Sequence, residues 1–263
     1  MTVTQIGADA STVVEPATAV DRPRVPRAVP VAIVLAWAAI VALHLSGHGG
    51  SIDHDTLLGP GGNVEVTSLL VYAAAWITMI TAMMLPSAVP LLGLFASVSR
   101  SQPRAGLVVA AFVSGYLAVW TVFGWLALGF DTAVHTAVEA SPWLHERPQL
   151  VIAAVLALAG AFQFSSLKDR CLSTCRHPGA YLLSHYQRGA GAALRIGWGH
   201  GLFCLGCCWA LMTVAFAAGM TDLRWMAGFT VLMTYEKVGR YGNAVARIAG
   251  FALIGLAVAI PSL

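Results

Sequence analysis

Charge is what this chain has least of. Asp, Glu, Lys and Arg together make up 10% of its 263 residues, where a soluble domain carries about a quarter. With 58% hydrophobic residues and a mean hydropathy of +0.75, the chain has too little polar surface to cover a water-facing core. A soluble reading is therefore excluded, and the bilayer is the solvent. No basic run interleaved with aromatics stands outside the membrane flanks, and the net charge is only +3, which excludes nucleic acid as a partner. Also missing are a Ser-His-Asp arrangement, a zincin helix and a carboxylate pair placed for hydrolysis, so the reading leans away from an enzyme. Met1–Arg27 lacks the basic and then apolar regions of a secretory signal. It reads as a disordered cytoplasmic tail ahead of a transmembrane helical domain over residues 28–263.

What is present is a set of long apolar stretches. A hydrocarbon core about 30 Å thick needs about 20 apolar residues in helix, and about seven stretches approach that length. They cover roughly residues 28–45, 66–98, 106–129, 150–164, 196–220, 223–235 and 244–260. The second is too long for one straight span. Pro86 and Pro90 each remove a backbone donor and crowd the carbonyl four residues earlier, so a kink or stop is expected near Leu85. The sixth is short, and six spans with that segment re-entrant is the alternative topology. The fold class expected is an all-α, polytopic membrane helix bundle without internal repeats of the inverted-transporter kind.

Lys and Arg set its orientation, because basic residues stay on the cytoplasmic side. Arg22, Arg24 and Arg27 precede the first span and Arg100 and Arg104 follow the second. Lys168, Arg170, Arg176, Arg188 and Arg195 follow the fourth, and Lys237, Arg240 and Arg247 follow the sixth. The alternate loops hold only Arg147 and Arg224. The N-terminus is therefore expected in the cytoplasm.

Sulfur is concentrated at this basic side. Cys171 and Cys175 stand four apart, and Cys204, Cys207 and Cys208 stand at i, i+3 and i+4, so on helices each group shares a face. Met212 continues the second stripe by one turn, and His200 precedes it by one. Met79, Met83 and Met84 lie just before Pro86. Thiolate and thioether are soft donors that favour Cu(I), with thiolate also serving Zn(II). The five cysteines, Met79, Met83, Met212 and His200 are accordingly the candidate metal ligands, with Cu(I) first and Zn(II) second. Buried cysteine as a small hydrophobe and methionine as gap-filler are the plain packing alternative, and Cys204 with Cys207 is formally a redox C-x-x-C pair. Gly197, Gly199, Gly201 and Gly206 crowd the start of the fifth span, where small residues allow close backbone approach in lipid.

Other polar groups carry weaker signals. Glu236 and Lys237, at the inner end of the sixth span, read either as a functional pair or as a snorkelling interfacial one. Gln163 is placed for cross-helix hydrogen bonding. His44, His48, Asp53, His54 and Asp55 offer imidazole and carboxylate on the outer side.

The motif set resembles the DUF2182 family of integral membrane proteins described as predicted metal-binding. The resemblance is carried by Trp76 to Met79, Met83, Met84 and Pro86; by Lys168, Cys171, Cys175 and Arg176; and by Gly201, Cys204, Gly206 to Trp209 and Met212. Gly219, Met220, Trp225, Met226, Glu236 and Lys237 extend it. It implies a multi-pass protein of the bacterial inner membrane, related to copper, without supplying a settled activity. The function expected is to hold a soft metal in a Cys/Met site near the cytoplasmic face for handling or delivery, with lipid, the metal ion and a recipient protein as partners. A metal transporter, a thiol redox protein and an assembly subunit are the competing classes.

Overall fold

The computed structural model describes residues 25–47, 66–217 and 222–260. The expected tail up to residue 24, the outer-loop residues His48, Asp53, His54 and Asp55, and Met220 lie outside the described residues.

Eleven helices are described. In chain order they are α1 (Ala28–Leu45), α2 (Val66–Met83), α3 (Leu85–Ser99), α4 (Ala105–Ala140), α5 (Pro142–His145), α6 (Gln149–Phe162), α7 (Ser166–Arg176), α8 (Pro178–His185), α9 (Ala190–Ala217), α10 (Leu223–Val238) and α11 (Gly242–Ala259). Five of them, α1, α2, α4, α9 and α11, are long and apolar enough to cross a membrane, and α6 with α7 adds a sixth if that pair, bent by 62°, is one span. The chain is a multi-pass helical membrane bundle whose span count by length lies at or below the lower expectation. The segment that falls short is α10: its 16 residues make about 24 Å of helix against a hydrocarbon core of about 30 Å.

The break expected near Leu85 separates α2 from α3 at Met84. Pro86 has no N–H to give to the Ala82 carbonyl four residues back, and a carbonyl left bare in lipid is costly. The indole N–H of Trp37 on α1 supplies the missing donor at 3.1 Å. The Met84 carbonyl likewise accepts from Ser87 Oγ at 2.8 Å and from the Tyr116 hydroxyl at 3.0 Å. The break is thus held by side chains from two other helices.

At the centre α4 and α9 pack closely. A Cβ built on Gly197 would lie 2.0 Å from the Phe112 carbonyl oxygen, and one on Gly115 would lie 2.2 Å from that of Leu194. Hydrogen-bonded aromatics tie α2 to α4: Trp76 Nε1 donates to the Trp120 carbonyl at 2.8 Å and the Tyr72 hydroxyl to that of Gly124 at 2.7 Å.

One end of the bundle gathers the basic loops. Gln102 donates to the Tyr186 hydroxyl at 3.1 Å and accepts from the Gly189 N–H at 2.7 Å. Arg176 donates to the Gly239 carbonyl at 2.6 Å. The basic segments after α3 and α8, with Arg100, Arg104 and Arg188, are thus tied together, and the end of α7 is tied to the turn after α10 that carries Arg240.

Candidate metal centre

The fourth expected span is α6, which ends at Phe162, and a cap explains why a new helix begins at Ser166. Ser165 is extended, and its hydroxyl accepts from the Lys168 N–H at 3.1 Å, the usual way of satisfying the free amides of a first turn. The resulting α7 turns its sulfur face onto α9. Gly206 permits this, since a Cβ there would lie 2.5 Å from Cys171 Sγ. One turn further along α7, Cys175 faces Cys207 closely enough for the two thiols to interact. Two cysteine segments separated by the short α8 therefore meet in the core, with Cys175 half-buried and the other four buried. All five thiols are free.

The remaining thiols face α3, α4 and α10. Cys204 Sγ lies 3.0 Å from the Tyr116 hydroxyl and 3.0 Å from Lys237 Nζ. The same ammonium reaches Ser87 Oγ at 3.0 Å and Cys208 Sγ at 3.7 Å. Cys208 Sγ lies 3.9 Å from Met84 Sδ. Cys207 and Cys208 also donate to the Cys204 carbonyl at 3.1 and 2.9 Å, the bonds of thiols turned back onto their own helix.

A buried ammonium is tolerated only where it is paired and hydrogen-bonded. Lys237 is 5% exposed and finds those partners in sulfur and hydroxyl. Beside it, Glu236 takes a salt bridge from Lys168 at 2.7 Å with both side chains almost wholly buried. The Glu236–Lys237 pair is therefore internal, which corrects the snorkelling alternative: α10 turns these two residues inward between α7 and α9, away from the interface.

The other candidates are placed as follows. Met79, Met83 and Met212 are buried in the same core, while the thioether in contact with a thiol is that of Met84. His200 is enclosed by Tyr116, Tyr181 and Phe112, with ring centroids at 5.8, 5.7 and 6.5 Å. Its Nδ1 is buried without a hydrogen-bond partner. Gln163 does not hydrogen-bond across helices, because both of its amide atoms are buried without a partner. Among the described residues, no group of three or more His, Cys, Asp or Glu stands close enough to hold a metal ion as arranged.

Sequence reasoning marked the cysteines and Lys237. It named Met84 among the soft sulfur before Pro86 without choosing it as a ligand. It missed Tyr116 and Ser87, which carried no readable signal.

Fold and cluster together define a multi-pass helical membrane protein with a soft, sulfur-rich interior. Residues 73–260 match the family model PpoB2, described as copper chaperone, and the chain belongs to that copper chaperone family. Neither a curated protein nor a solved structure matches it.

Proposed function

We propose that the chain carries Cu(I) as cargo in the cluster of Cys171, Cys175, Cys204, Cys207 and Cys208, with methionine sulfur from the α2–α3 break, and releases it to a recipient. The observation that carries this reading is the seating of the α7 cysteine face on α9 at Gly206, beside a buried ammonium that contacts Cys204 and Cys208. The donors are soft, as monovalent copper requires and as divalent hard ions do not. Lys237 offsets the negative charge that deprotonated sulfur brings, so the cluster can lose protons and gain a cation without a large change in net charge. Loading draws in thiols that are turned back onto the Cys204 carbonyl. Met79, Met83, Met212 and His200 support the cluster from the surrounding core, and Zn(II) is the second cargo by donor chemistry. The finer assignments, to the DUF2182 family and to a bacterial inner membrane with the N-terminus in the cytoplasm, belong to the same proposal. They are supported by the motif set and by the one-sided Lys and Arg.

The test is a competition titration of reduced, purified protein against a chromophoric Cu(I) chelator, beside a variant with all five Cys→Ser. Tight binding that disappears in the variant is the result expected. Equal binding by both proteins would end the proposal.

Transport is a second reading, favoured by Met226 and Met233, which are 2% and 0% exposed. They lie on the same helix as Lys237 and extend soft donors toward the opposite end. Uptake of Cu(I) into sealed vesicles separates transport from holding and delivery.

A further inference from the structure

Beside the sulfur cluster, at the basic end, a half-open cavity of about 910 Å³ lies between the α6–α7 elbow and the α10–α11 turn. That volume falls within the roughly 300–1,000 Å³ of small-molecule sites. Its charge is one-sided. Arg176, Arg240, Arg247 and Lys237 line it, and Asp169 is the only acidic side chain among the lining residues. The guanidinium of Arg176 is held in place by the Gly239 carbonyl and by Asn243 Oδ1. Arg240 and Arg247 are exposed and in no ion pair among the described residues.

A second, independent observation points to a ligand. Gln163 lines this cavity, is 3% exposed, and has neither amide atom hydrogen-bonded. An amide left bare in an apolar interior is costly, and its N–H donors and carbonyl acceptor suit a polar ligand. One side chain separates the cavity from the sulfur: Lys237 forms part of the cavity wall, and its Nζ contacts Cys204 at 3.0 Å.

A bare monovalent cation is repelled by such a lining, and an anion is drawn in. We propose that this cavity is an anion-binding mouth through which Cu(I) passes as the anionic bis-thiolate complex of a small carboxylated thiol, not as the free ion. This deepens the copper-carrying reading and rests on it. The carboxylates pair with Arg240 and Arg247, and Gln163 hydrogen-bonds the ligand's amide or carboxylate. Transfer is ligand exchange at constant oxidation state. Each Cu–S bond to the carrier breaks as one to a protein sulfur forms, and the proton given up by the protein thiol goes to the departing carrier thiolate.

The experiment presents Cu(I) to metal-free, reduced, full-length protein in two forms: as the glutathione complex, which is anionic, and as the acetonitrile complex, which is cationic. The variant is Arg240→Gln with Arg247→Gln, neither residue being a copper donor. We expect transfer from the glutathione complex to slow about tenfold in the variant, and in the wild type at raised salt. The rate from acetonitrile and the final stoichiometry should be unchanged. Equal effects on both carriers, or none, overturn the proposal. A copper-free arm separates the two readings: S-methylglutathione should protect Arg240 and Arg247 from phenylglyoxal, read by mass spectrometry. If neither carrier loads the protein, the copper reading fails, and protection then decides the anion cavity alone. Absence of protection, or protection by phosphatidylglycerol vesicles but not by S-methylglutathione, overturns the mouth.

Discussion

The ammonium of Lys237 lies 3.0 Å from the sulfur of Cys204, with both side chains buried. A positive charge is thereby placed among groups that ligate metals only after losing protons. In Lys237→Met the deprotonated sulfurs lose their charged hydrogen bond, worth about 1.5–3 kcal/mol. Cu(I) affinity should fall by about ten- to a hundredfold, while Lys237→Arg retains most of it. The chelator competition titration reads both, and unchanged affinity in the methionine variant would remove Lys237 from the site.

The Lys168–Glu236 salt bridge makes a separate prediction about stability. Removing one partner of a buried pair strands the other charge at a cost of about 3–5 kcal/mol, whereas replacing both with apolar groups is often neutral. Lys168→Met should therefore lower the thermal midpoint in detergent markedly. Adding Glu236→Leu should recover most of the loss, a pattern that a double-mutant cycle measures directly.

The approach of α4 to α9 is limited by backbone contact. Gly197→Ala pushes a methyl against the Phe112 carbonyl, and a rigid neighbour makes that overpacking cost about 1–3 kcal/mol or more. Gly191, earlier on α9, has nothing within 4 Å of a built Cβ, so Gly191→Ala should leave stability near the wild-type value. Thermal unfolding of the two variants side by side checks the contrast.

At the far end of α10, Asp222 caps the helix, its carboxylate accepting from the Arg224 and Trp225 N–H groups at 2.9 and 3.4 Å. Its hydrogen bond with the Arg224 side chain, followed by those from the two backbone amides, holds the carboxyl below the usual carboxylate range. A depressed value means that the contribution is present above the ordinary carboxylate pKa of about 3.9 and is lost as the pH falls through the folded value. Asp222→Ala should cost about 1 kcal/mol at neutral pH, and Asp222→Asn should keep the cap without its acid sensitivity. Unfolding midpoints measured from neutral to acidic pH check both.

Much of this was legible before any coordinates. Pro86 dictated the break beside Leu85, because a missing N–H is a local fact of the chain. The i, i+3, i+4 spacing of Cys204, Cys207 and Cys208 dictated a common face for the same reason. The meeting of Cys175 with Cys207 could be expected only as a chance of geometry, since it depends on the elbow at Ser165, whose capping residue was readable but whose angle was not. The partners of Lys237 were hidden. Ser87, Cys204 and Cys208 come from two other helices, and nothing local to Glu236–Lys237 distinguishes a lysine turned inward from one reaching toward water. Among the described residues the spans by length number five, or six with the bent α6–α7 pair, because α10 is 16 residues long and its polar inner end packs against charge inside the bundle.

The contact between Trp37 and the Ala82 carbonyl gives the first helix a task beyond anchoring. It lies ahead of the stretch that defines the family, yet it supplies the donor that the broken helix cannot supply to itself. Stiffness beside Met83 and Met84 is thereby shared with a neighbour: the indole braces the joint from outside the helix pair that it joins.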